Sequence, residues 1–304
     1  MKTSSRKNVV EVEIRGGLGN QLFSYFAGLY LSELNDSKLK LKICQPATNE
    51  TVHGDSIAEL NLKGDFFFEK ERNLIEQFTK RLIAKLARSF RFFSFIRLHL
   101  SGQYNSNELG FDHKVKALKP PIVLTGYFQS WRFFYAVKNK IDRPIEISRP
   151  SDWYREFSAK AVLEKPIMLH IRRGDYTNPI NSNFGLLSGN YYRRALEMLP
   201  EDVKLKPIWV FSDDPDRAKE TLKDLSFYNF LWIKSPTSES AIESLLLMSL
   251  GSDNIIANST FSWWGAMLNT KGHVVIAPSK WFKSQEDPRD LIPDSWIRVE
   301  SDWV

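Results

Sequence analysis

Apolar positions along this chain fall into short β-like runs, each followed by a stretch with helical spacing, and the rhythm persists to the C-terminus. In the first half the strand-like runs are 9–14, 39–43 and 122–128, with helical patterns after the first and over 130–137. In the second half strands are predicted at 167–171, 208–211, 230–233, 254–257 and 273–277. Helices are predicted there at 190–199, 216–225, 238–250 and 261–268. Such alternation predicts parallel, doubly wound α/β sheets. Two Arg-Pro pairs, Arg143-Pro144 and Arg149-Pro150, precede a helical linker over 153–163. The expected organisation is therefore two domains, 1–150 and 151–304, without an internal repeat and with the ligand site in the cleft between them.

Composition narrows the class. Apolar residues make up 42% and aromatics 13% of the 304 residues, which excludes a disordered chain. Cys44 is the only cysteine, which leaves no Cys cluster for zinc, and His53, His99, His113, His170 and His273 are too scattered for a local metal-ligand motif. The opening MKTSSRKNVV has no apolar core of a signal peptide, and no apolar run nears the ~20 residues of a membrane span. A cytoplasmic location is the expectation.

The net charge of +6 has one source. Between Lys70 and Arg97 lie eight basic and two acidic residues, and the rest of the chain carries 34 of each sign. Leu74, Ile75, Phe78, Leu82, Ile83, Leu86 and Phe90 recur there at helical spacing, which predicts a basic amphipathic helix. It reads either as a core-facing helix with a solvated basic face or as a contact to an anionic membrane surface. Nucleic acid is disfavoured, because no nucleic-acid motif accompanies the charge.

Three motifs carry candidate chemistry. Arg15-Gly16-Gly17-Leu18-Gly19-Asn20-Gln21-Leu22-Phe23 sits between a strand and a helix, where glycines let backbone N–H groups face an anion. A merely tight turn would read the same way, and the motif is neither a Walker A loop nor G-x-G-x-x-G. His170-Ile171-Arg172-Arg173-Gly174-Asp175-Tyr176 ends a predicted strand. Its two guanidinia suit phosphate oxygens or pairing with Asp175, and both can hold at once. Asn254 to Gly265 runs from a buried strand into Asn258, Ser259, Thr260 and Ser262 at a helix start, more hydroxyl and amide groups than capping needs. Trp263 and Trp264 read as packing. Asp213, in Phe211-Ser212-Asp213-Asp214, could cap a helix, hold a metal or touch a nucleoside. Glu243 could accept from a guanine or be an ordinary exposed acid. Together the motifs converge on a diphosphate held by arginine and helix dipoles.

In this order and spacing, GGLGNQLF, HIRRGDY, FSDD and NIIANSTFSWWGA resemble the bacterial α-1,2-fucosyltransferase family. The likeness runs from about Val10 to Phe282 and includes Gly126 to Ser130 and Ala277 to Phe282. It implies a GT-B-like pair of Rossmann-type domains, the first on the acceptor side and the second binding GDP-fucose. It also implies inversion at the anomeric carbon without a metal cofactor, and transfer to the 2-hydroxyl of a terminal β-galactoside in O-antigen-type glycan. On that resemblance Arg172 holds the donor β-phosphate and His170 lies near the nucleoside. Ser259, Thr260 and Ser262 meet the phosphates, Gly17 and Gly19 turn their backbone toward them, and Asn20, Asp213 and Asn258 join the donor site. Family members often show an acidic pair for guanine, and here only Glu243 of Glu243-Ser244 can serve.

The expected mechanism is a single displacement in which Arg172 and the Ser259 to Ser262 helix start stabilise the leaving diphosphate; Asp175, Arg172 and Arg173 are the candidate catalytic residues, with Asp175 the candidate base. Asp175 could equally be the partner that orients Arg173. Two alternatives stand beside this reading: another linkage or nucleotide sugar, and a non-catalytic binder of nucleotides or anionic glycans.

Overall fold

A computed structural model describes residues 8–45, 56–70, 102–174, 176, 182–234, 241–270 and 274–304. Asp175 and the basic segment beyond Lys70 lie outside the described residues. The chain divides into two compact units, Met1–Pro144 and Ile145–Val304, so the division falls at the first Arg-Pro pair rather than the second.

The first unit contains β1 (Val9–Ile14), α1 (Leu18–Leu34), β2 (Lys38–Gln45), β3 (Asp65–Lys70), β4 (Gln103–Asn105), β5 (Ile122–Thr125) and α2 (Trp131–Val137). Its strands are parallel in the order β3-β2-β1-β5-β4. Val10, Val12 and Ile14 sit opposite Leu39, Leu41 and Ile43, and this buried face carries the core. The intervening positions oppose Glu11 to Lys40 and Glu13 to Lys42, so these two strands alternate apolar with charged. Such alternation marks a sheet with one apolar and one polar face, unlike a sheet buried on both sides. The α1 helix, by contrast, is buried almost all round, with Leu22, Phe23, Phe26 and Leu29 at 1% exposure or less. Burying each such side chain contributes about 1.5–3 kcal/mol.

The second unit contains α3 (Asp152–Glu164), β6 (Ile167–Ile171), α4 (Gly189–Glu197), α5 (Glu201–Lys204), β7 (Ile208–Ser212), α6 (Pro215–Thr221) and β8 (Phe230–Trp232). It continues with α7 (Ala241–Met248), β9 (Asp253–Ile255), α8 (Thr260–Met267), β10 (Val275–Pro278) and β11 (Ile297–Val299). The parallel order is β11-β10-β9-β6-β7-β8. All of β6 is buried: Ile167, Leu169 and Ile171 join one core with Tyr191 and Ala195 of α4, while Met168 joins another with Ala161 of α3 and Leu247 of α7. This sheet is doubly wound as expected, which is why β6 is apolar at every position but His170.

Both sheets have a topological switch point. In the second, the chain builds outward from β6 through β7 and β8, then returns to β9 on the other side of β6 and continues to β10 and β11. In the first, β2 and β3 lie on one side of β1, and β5 and β4 on the other. Ligands of such sheets bind beyond the carboxyl ends of the two strands that flank the switch, β6 and β9 or β1 and β5.

One boundary departs from the sequence pattern in a way that matters. The run 122–128 ends as a strand at Thr125, because Gly126 (φ +154°) and Phe128 (φ +50°) turn the chain out of the sheet.

Candidate active site

The HIRRGDY motif leaves β6 at its carboxyl end. Arg172 pairs through Nη1 with Asp213 Oδ2 at 3.0 Å, with the two side chains 27% and 24% exposed. Its guanidinium also lies 5.4 Å from the centroid of the Tyr176 ring, which stacks on Phe184 and donates to Asn258 O at 2.9 Å. Asp213 reaches the same turn a second time, accepting from Arg173 N at 2.8 Å. Gly174 is required by this closeness, since a Cβ there would stand 2.5 Å from Asp213 Oδ2. The helix cap that the Phe211 to Asp214 motif offered is Asp214, which accepts from Arg217 N at the start of α6, while Asp213 brackets Arg172 and Gly174.

Arg173 turns the other way and is only 4% exposed. Its guanidinium donates to Thr221 Oγ1, Arg172 O and Leu187 O, which ties the loop after β6 to α6 and to the start of α4. The structure therefore makes Arg173 a buried brace and leaves Arg172 as the arginine that faces outward. A cavity of about 640 Å³ opens beside this brace, lined by Ser188, Asn190, Arg193, Arg217 and Lys223; neither Arg172 nor any α8 residue lines it.

His170 is 3% exposed and packs on Phe261 of α8 at 5.5 Å between ring centroids, joining the end of β6 to the helix after β9. Burial pushes its pKa down from 6.5 to about 3; Asp213 opposes this and Arg172 adds to it. The ring is thus neutral at physiological pH, and its Nδ1 has no hydrogen-bond partner among the described residues.

At the end of β9, Ser259 is the N-cap residue of α8 in an extended conformation, yet its side chain makes no capping bond. The positive end of the helix is left open beside the half-buried Thr260. Ser262 and Asn258 are buried and committed to the fold. Ser262 Oγ donates to Ser259 O at 3.2 Å, and Asn258 Nδ2 donates to Phe184 O at 2.8 Å and to Trp281 O at 3.2 Å. Trp263 and Trp264 are fully buried, as packing residues should be.

In the first unit the glycine motif forms the turn between β1 and α1. Gly16 has φ +76°, a region that favours glycine. Gly17 is the N-cap residue of α1, again with no side-chain capping bond, and a Cβ there would meet nothing within 4 Å. Gly19 is buried in the first turn. Asn20 faces the neighbouring loop, accepting from Gln129 Nε2 at 2.8 Å, and Gln21 Nε2 closes the turn onto Gly16 O at 2.8 Å.

Glu243 is not the ordinary exposed acid that the sequence allowed: it is 4% exposed. Both oxygens accept from Ser151, one from N and one from Oγ, each at 2.6 Å. Ser151 in turn accepts from Tyr154 N, so Glu243 backs the cap of α3. Sequence reasoning missed Ser151, Thr221 and Phe261 as partners, since each acts from a distant stretch of chain. Tyr176 was visible in its motif, but nothing there showed that its ring would lie under Arg172. No group of three or more His, Cys, Asp or Glu stands close enough to hold a metal among the described residues.

Arg172 and the uncapped start of α8 thus lie at the carboxyl ends of β6 and β9, the two strands that flank the switch point of the second sheet. The glycosyl transferase family 11 profile matches residues 95–300. The chain is 31% identical to an α-1,2-colitosyltransferase of Escherichia coli over 96% of its own length and 99% of that protein's. It is 42% identical to the O-antigen biosynthesis glycosyltransferase WbnK of Escherichia coli over 43% of each chain. To a galactoside 2-α-L-fucosyltransferase of Caenorhabditis elegans it is 24% identical over 59% of its length and 53% of that protein's. The chain belongs to glycosyl transferase family 11 and is a glycosyltransferase.

Proposed function

We propose that this enzyme is an inverting galactoside 2-α-L-fucosyltransferase, which moves fucose from GDP-fucose to the 2-hydroxyl of a terminal β-galactose in O-antigen-type glycan. One observation carries the reading: Arg172 and the uncapped start of α8 meet at the switch point of the second sheet, joined by His170 on Phe261. A leaving diphosphate there meets a guanidinium, a helix dipole and the Ser259 and Thr260 hydroxyls, so its charge is stabilised without a metal. The galactose O2 attacks the anomeric carbon as the C–O bond to GDP breaks on the opposite face, and the O2 proton passes to Asp175. Inversion at that carbon follows from the single displacement.

A second reading concerns the donor alone. The full-length likeness to an α-1,2-colitosyltransferase favours GDP-colitose, whose sugar is fucose without its 3-hydroxyl. The test offers the protein lactose with GDP-fucose and GDP-colitose together, and product NMR identifies the sugar and its linkage. Fucose in α-1,2 linkage supports the first reading and colitose the second. Nucleotide binding without transfer of either sugar would contradict both readings. The basic surplus between Lys70 and Arg97 supports work at the cytoplasmic face of a membrane, close to an anionic lipid surface.

A further inference from the structure

The loop between β5 and α2 buries Phe128, Gln129 and Ser130 but holds Tyr127 out at 50% exposure. Two left-handed residues flank that ring, Gly126 at φ +154° and Phe128 at φ +50°. A bulky residue keeps such a conformation only where its surroundings enforce it, and backbone strain of this kind collects at ligand sites. The enforcement is local: Gly126 O accepts from Ser24 Oγ at 3.0 Å, Gln129 is bonded to Asn20, and Ser130 caps α2. A rigidly mounted ring turned half into solvent contributes little to the core. Its edge borders the glycine turn, since a Cβ on Gly16 would come 3.7 Å from Tyr127 Cε1. The ring thus stands beside the open start of α1, and β1 and β5, which carry these two loops, are the strands at the switch point of the first sheet.

We propose that Tyr127 is the stacking platform for the terminal galactose of the acceptor. The inference rests on the transferase reading above, in which a terminal galactose is the acceptor: an exposed aromatic ring at the switch point of the first sheet stands where a ligand of that sheet binds. The axial 4-hydroxyl of galactose leaves one face of the sugar made of C–H groups. That face lies flat on an aromatic ring while the equatorial 2-hydroxyl at the sugar's edge stays free to attack.

The experiment compares wild type, Tyr127→Ala and Tyr127→Phe in three measurements: acceptor KM for lactose, GDP affinity by calorimetry, and lactose saturation-transfer NMR with GDP present. Tyr127→Ala is expected to raise the acceptor KM about ten-fold, to lose the lactose NMR signal and to bind GDP as wild type does. Tyr127→Phe, which keeps the ring, should restore both acceptor readouts. Unchanged lactose binding in Tyr127→Ala overturns the proposal, and so does a loss confined to GDP affinity, which would set the ring against the donor. If wild type transfers neither fucose nor colitose to lactose, the transferase reading fails. The NMR comparison then decides alone: a lactose signal that depends on Tyr127 upholds the platform, and an equal or absent signal in wild type overturns it.

Discussion

His170 sits between the two donor elements yet brings no charge to them. With its pKa near 3 in the folded protein and an ordinary value of about 6.5 when unfolded, the unfolded chain binds one more proton between those limits. The stability that comes from burying the neutral ring is therefore whole above pH 6.5 and is lost as the pH falls toward 3. The slope is at most about 1.4 kcal/mol per pH unit. Urea unfolding of wild type and His170→Gln at pH 7.5, 6.0 and 5.0 checks this; the wild type should lose more stability on acidification, and parallel losses would contradict it. The two adjacent arginines divide by environment. Arg172 keeps a partly exposed guanidinium against Asp213, while Arg173 is spent on Thr221 and backbone oxygens. The sequence showed that both were present at a strand end, but not which would turn inward, because Thr221 lies 48 residues away.

Element by element, legibility followed burial. The β6 strand was visible because a strand covered on both faces is almost wholly apolar, with His170 its one polar residue, and α8 because its apolar residues follow a hydroxyl-rich start. The β3 strand was missed: Phe66, Phe67 and Phe68 lie between charged residues, and its last residue, Lys70, opens the basic run. The cap of α3 is local, Ser151 accepting from Tyr154 N, but its backing by Glu243 was beyond reach of any local pattern, since Ser151 and Glu243 are 92 residues apart. That cap is open to direct test. Ser151→Ala removes the hydroxyl that caps Tyr154 N and bonds Glu243, and should cost about 1–2 kcal/mol of unfolding free energy. Combined with Glu243→Gln, the losses should be less than additive, because both changes break one cluster. Additive losses would show that the two residues act independently.

At the scale of the whole molecule, the net charge and the chemistry separate. Arg172 and Arg173 belong to a charge-balanced remainder, and the surplus of +6 belongs to the Lys70 to Arg97 segment. If that segment meets anionic lipid, the enzyme should pellet with phosphatidylglycerol vesicles at low salt. It should stay in solution after Lys80, Arg81, Lys85 and Arg88 are changed to Gln, and equal pelleting would contradict the proposal. Each unit is a parallel α/β sheet with a signature motif at a switch point, so GGLGNQLF, HIRRGDY and NIIANSTFSWWGA each join buried core residues to a turn at the carboxyl end of a strand. The central claim is that the outward-facing arginine at the second switch point stabilises a departing nucleoside diphosphate. Transfer of labelled fucose from GDP-fucose to lactose, measured for wild type and Arg172→Ala at equal folded concentration, tests it most directly. The account predicts that the variant loses about 10²-fold or more in rate while keeping the thermal stability of the wild type within about 1 kcal/mol. Transfer at the wild-type rate by Arg172→Ala would contradict it.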